Sequence, residues 1–160
     1  MDIDGLLTGL ILPFAGTAAG AACVYFMKHE LPERVQKSLL GFAAGVMVAA
    51  SVWSLLIPSI EMSGGEGLSG VLPAVAGFLL GIGFLLMLDR VTPHQHVHAA
   101  HGEGPRSGLT RTSKLALAIT IHNIPEGMAV GIALAGALEG SAYLSMAGAV
   151  ALSVGIAVQN

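Results

Sequence analysis

Charge is scarce in this chain. Asp, Glu, Lys and Arg make up only 11% of its 160 residues, where a soluble domain carries about a quarter. Hydrophobic residues make up 54%, and the mean hydropathy is +0.76. A soluble fold of that composition would leave broad apolar patches in water. An ordinary soluble domain is therefore excluded, and an integral membrane protein is indicated. The net charge of −3 offers no basic surface to nucleic acid. Cysteine is limited to Cys23, inside an apolar run. No intrachain disulfide can form, and the thiol reads as a small core or lipid-facing group. A basic leader is lacking too. The first residues include Asp2 and Asp4, so no cleavable signal peptide is expected.

What is present is apolar sequence in long pieces. Five runs stand out, over about 6–27, 39–60, 71–88, 115–138 and 142–160. Barrel strands need ~10 alternating residues, and these runs are continuous and longer. Helix is the remaining way to satisfy the backbone in lipid. The expected fold is all-α, a polytopic transmembrane helix bundle forming one domain over 1–160.

The connectors set the orientation. All 7 basic residues fall in or beside two of them. Lys28, Arg34 and Lys37 lie between the first and second runs, and Arg90, Arg106, Arg111 and Lys114 between the third and fourth. Asp2, Asp4, Glu61, Glu66 and Glu139 mark the opposite side. The positive-inside rule puts the N-terminus outside and segments 28–38 and 89–114 in the cytoplasm. Glycines paired four apart (Gly16 and Gly20, Gly41 and Gly45, Gly77 and Gly81, Gly127 and Gly131) indicate close helix packing. They mark a tight bundle, with which a homodimer is compatible.

The costliest residues are in the fourth run, at Ile121-His122-Asn123-Ile124-Pro125-Glu126-Gly127. Ionisable groups at such depth point to a functional site. His122 and Glu126 are four apart and share a helix face. Asn123 lies about 100° round. Pro125 removes one helical N–H and crowds the Ile121 carbonyl, so a kink is expected at the same depth. Imidazole nitrogen, carboxylate oxygen and amide oxygen together suit a divalent transition metal such as zinc. A His–Glu pair tying helices together is the plainer alternative.

The fifth run repeats the pattern. Gln159 and Asn160 stand where His122 and Asn123 stand in the fourth, and the sequence stops there. The expectation is a fragment whose continuation carries a second carboxylate. In the second run, Met47, Ser51, Ser54, Pro58 and Glu61 recur at helical spacing. A thioether is a soft ligand, hydroxyls can hydrate a passing ion, and Glu61 at the outer mouth attracts cations. The connector over 91–111 holds His94, His96, His98 and His101 among glycines and a proline. Without fixed tetrahedral spacing it reads as an adaptable metal-collecting loop rather than a structural site.

The HNIPEG segment, the QN pair and the second-run stretch FAAGVMVAASVWSLLIPSIE (42–61) together resemble the ZIP family of divalent-metal transporters, in its bacterial GufA-type branch. The resemblance covers essentially the whole chain. It implies eight transmembrane helices, of which five are visible here, the fifth incomplete. It also implies a binuclear metal centre between the fourth and fifth. Carried over by position, His122, Asn123 and Glu126 would be ligands, with Glu126 bridging two ions, and Gln159 and Asn160 would join them. Met47 would approach the first ion, and Ser54 and Glu61 would mark an entry path. Many relatives have His at the position of Gln159, and some have Asp at that of Asn160. The implied activity is carriage of divalent ions into the cytoplasm across the cell membrane. Zn2+ is the foremost substrate, with Fe2+, Mn2+ and Cd2+ as alternatives. The ion is cargo, not a cofactor. Two other readings remain. An intramembrane metal-dependent hydrolase would want His-Glu-x-x-His on one helix, and the fourth run has no second histidine. A structural or channel bundle without metal is the other.

Overall fold

The computed structural model describes residues 3–27, 29–65, 67–91 and 110–160. Asp2, Lys28, Glu66, Arg106 and the expected metal-collecting histidines His94, His96, His98 and His101 lie outside the described residues. Every regular element among the described residues is helical. Helix α1 spans Ile3–Cys23 and ends in a 3-10 turn, Val24–Phe26. Helix α2 spans Glu33–Ala49, passes through a π-helical segment Ala50–Leu56, and continues as α3, Ile57–Met62. Helices α4 (Gly67–Val91), α5 (Arg111–Leu138) and α6 (Met146–Gln159) follow.

Among the described residues, four stretches are long and apolar enough to cross a membrane: Ile3–Phe26, Glu33–Met62, Gly67–Leu88 and Thr112–Leu138. With them the chain is a multi-pass helical membrane protein. The fifth apolar run forms a shorter helix of 14 residues, about 21 Å long at 1.5 Å per residue.

Helix ends depart from the apolar runs. Part of the two basic connectors is helical, since α2 begins at Glu33 and α5 at Arg111. Apolarity marks the depth of lipid, whereas capping marks the end of a helix. Thr110 caps α5 by accepting from the Ser113 N–H at 3.2 Å. Ser145 caps α6 by accepting from the Gly148 N–H at 3.1 Å. Between them, Gly140 adopts a φ of 76°. Ser141 N–H then reaches the Gly136 carbonyl at 3.0 Å and Gly140 N–H the Ala137 carbonyl at 3.3 Å. This pair of bonds is the Schellman closure, and it needs a left-handed residue after the helix.

The π segment has a cause in sequence. Pro58 has no N–H for the Ser54 carbonyl and its ring crowds that carbonyl. The chain widens one turn, and Ile57 N–H bonds back five residues to the Val52 carbonyl rather than four residues as in an α-helix. The even helical stripe expected from Met47 to Glu61 is interrupted there.

The buried core is small: Val130, Ala133 and Leu134 of α5 against Ala149, Leu152 and Ile156 of α6. Helix α1 lies along α6 with almost no space between backbones. A Cβ on Gly16 would overlap the Ala157 backbone, and one on Gly20 would come within 3.5 Å of the Asn160 carbonyl oxygen. The other three glycine pairs face nothing within 4 Å. Large apolar side chains elsewhere point outward, among them Leu40, Trp53 and Leu80, which suits a lipid solvent.

Candidate metal centre

Glu126 lies about 22 Å along α5 from Arg111 and about 18 Å from Leu138 at 1.5 Å per residue, near the middle of that membrane-length helix. Helix α5 runs through Pro125 as one element. The i, i+4 relation brings His122 Nε2 to 3.7 Å from Glu126 Oε1. That is too long for a hydrogen bond. The His122 side chain is 57% exposed and that of Glu126 only 15%. From α6, Gln159 Nε2 donates to the same Glu126 Oε1 at 2.9 Å. Gln159 is half-buried.

Two oxygens at this junction have no hydrogen-bond partner among the described residues: Glu126 Oε2 and Gln159 Oε1. Both are buried. A carboxylate and an amide oxygen are acceptors, so each needs a proton donor or a cation. An unpaired carboxylate in apolar surroundings is costly.

Beside them is a cavity of about 220 Å³ lined by α1, α5 and α6. Asn123, Glu126 and Asn160 line it, together with Pro13, Phe14 and Thr17 of α1. Thr17 Oγ1 accepts from Asn160 Nδ2 at 3.1 Å. Thus Asn123, Glu126 and Asn160 share one cavity, Gln159 bonds to Glu126, and His122 flanks it on the α5 surface. No three His, Cys, Asp or Glu side chains converge among the described residues, because the remaining polar donors here are amides.

The second-run residues lie apart from this junction. Met47 is 38% exposed and lines neither this cavity nor a second one of about 300 Å³ between α3, α5 and the α5–α6 turn. Ser54 and Pro58 do line that second cavity, with Ser59, Met62 and Ser63. Ser51 is half-buried and Glu61 is exposed, and neither lines it. Sequence reasoning missed Thr17 and, in the second cavity, Ser59 and Ser63. The signal for Thr17 was faint: a hydroxyl one turn after Pro13 in an apolar helix.

No protein-family model matches the chain. Individual proteins do. It is 39% identical over 126 residues to Zinc transporter ZIPB of Bordetella bronchiseptica, covering 76% of this chain and 40% of that protein. It is 44% identical over 95 residues to Zinc transporter ZIP11 of Bos taurus, covering 58% of this chain and 28% of that one. It is 36% identical over 140 residues to Zinc transporter GufA of Myxococcus xanthus, covering 82% of this chain and 52% of that one. The chain thus spans about half the length, or less, of these relatives.

Proposed function

The chain belongs to the ZIP family, and on that premise we propose that the whole protein carries divalent transition-metal ions, Zn2+ foremost, across the cell membrane into the cytoplasm. The observation that carries this is the pair of orphaned buried oxygens, Glu126 Oε2 and Gln159 Oε1. They stand where α5 and α6 meet at mid-membrane, beside a cavity with two further amides.

The ion gathers at the outer face near Glu61 and sheds water against the hydroxyls of Ser51 and Ser54. It then passes to Glu126, where His122, Asn123, Gln159 and Asn160 complete its shell, with Met47 on the approach. One carboxylate and one imidazole among neutral amides bind a divalent cation less tightly than a site built of carboxylates and thiolates. That suits an ion that must leave again. The basic connectors face the cytoplasm by the positive-inside rule. The histidines His94, His96, His98 and His101 receive the ion there. Lipid covers the apolar outer faces.

A hydrolytic role has no support. Helix α5 carries no second histidine beside His122, and no carboxylate remains as a base once Glu126 holds the ion. The matched relatives are named as transporters. The test is uptake by liposomes containing the whole protein, with a zinc indicator inside and Fe2+, Mn2+ or Cd2+ as competitors outside. Zinc should enter faster than into protein-free vesicles. Equal entry into both would contradict the proposal.

A further inference from the structure

Helix α1 holds no metal-binding motif, yet it forms one wall of the Glu126 cavity. Thr17 Oγ1 lies within 2.9 Å of the Pro13 carbonyl oxygen and donates to it. A hydroxyl has one proton. With that proton used on its own helix, Thr17 can only accept from a neighbour. Asn160 meets this acceptor with its Nδ2, at 3.1 Å. The close approach at Gly16, whose missing side chain lets α1 reach the Ala157 backbone, brings the two within range.

An amide has a donor end and an acceptor end, and a flip exchanges them. A flipped Asn160 would set oxygen against Thr17 oxygen with no proton between them. Only the oxygen end of an amide binds a hard or borderline cation. Resting on the transport function proposed above, we propose that Thr17 is a positioning residue. It holds the Asn160 amide by its nitrogen and so leaves the amide oxygen available to a divalent cation in the cavity. The hydroxyl's own bond to Pro13 sets that polarity. Pro13 is suited to the task, since a helix carbonyl one turn earlier is within reach of a threonine hydroxyl.

The test is Zn2+ uptake over a range of concentrations by liposomes holding the whole protein, with rates normalised to inserted protein. Thr17→Val should raise the half-saturating zinc concentration about fivefold, the equivalent of one ordinary hydrogen bond, and leave the maximal rate unchanged. Thr17→Ser should restore the wild-type value. In an Asn160→Ala background, Thr17→Val should add nothing further. Thr17→Ala replaces the valine variant if that protein does not insert. Unchanged half-saturation in Thr17→Val would overturn the assignment, and so would a fall in maximal rate alone. A full fivefold effect in the absence of Asn160 would also overturn it. Wild-type vesicles that take up no zinc would overturn the transport function itself and this assignment with it.

Discussion

Gln159 donates its side-chain amide to the Glu126 carboxylate at 2.9 Å, across the seam between α6 and α5. The bond satisfies one carboxylate oxygen and leaves Glu126 Oε2 and Gln159 Oε1 buried without partners among the described residues. The seam thus leaves one acceptor open on each side, and each calls for a proton donor or a cation.

Gln159→Leu removes the donor and leaves the carboxylate without it, at a cost of about 1–3 kcal/mol. The variant should unfold at a lower temperature than wild type in metal-free detergent. Excess zinc should widen the gap, because a bound ion stabilises the folded state in proportion to its affinity and the variant lacks one of the proposed ligand oxygens. Thermal unfolding with and without zinc checks both. A zinc shift equal to zero in both proteins would count against a metal at this seam.

Gly16 and Gly77 should respond in opposite ways. A side chain at Gly16 meets the Ala157 backbone, which cannot swing aside as a side chain tip would. Gly16→Val should destabilise by at least about 1–3 kcal/mol. Gly77 faces nothing within 4 Å, so Gly77→Ala should be neutral or stabilise by roughly 0.5–1 kcal/mol. Unfolding of the two variants side by side decides the matter, and equal losses would refute the close α1–α6 approach.

Acid should slow uptake. With Glu126 and His122 as the proposed ligands, protons and metal ions would compete for them, since a metal ligand must be deprotonated to bind. Uptake should therefore fall as the outer pH is lowered from neutral. Initial rates measured across that range, with the inner pH held fixed, provide the check. Rates that climb with acidity would point to a different driving step.

Deletion of 94–101 should change the rate or regulation of uptake and leave transport in place. The histidines there lack the fixed spacing of a required site. Zinc entry into vesicles with the deletion variant reads this directly. Complete loss of entry would make the segment an essential part of the path.

Much of the fold was legible because lipid imposes a simple constraint. A backbone in hydrocarbon must bond to itself, so long apolar runs can be read as helices. The polar cluster at His122, Asn123 and Glu126 stood out because such residues are costly at that depth. Other features carry no such cost and left no mark. Thr17 satisfies its hydroxyl on the Pro13 carbonyl, so it sits in an apolar helix unremarked. The π segment at Ala50–Leu56 depends on how the chain relaxes around Pro58, which the spacing of Ser51, Ser54 and Glu61 does not reveal. The helical turns at Arg111 and Glu33 are polar and so lay outside the apolar runs. Of four similar glycine pairs, only Gly16 and Gly20 meet another backbone. Pair spacing shows where helices could touch, and only the tertiary arrangement shows which do.

The most direct test of the central claim is zinc accumulation by liposomes containing the Glu126→Ala variant of the whole protein, set against wild type at equal insertion. Among the described residues, Glu126 is the sole carboxylate that lines the cavity. Its loss should abolish zinc entry while leaving the protein in the membrane. Near-wild-type accumulation by Glu126→Ala would contradict the assignment of the metal centre.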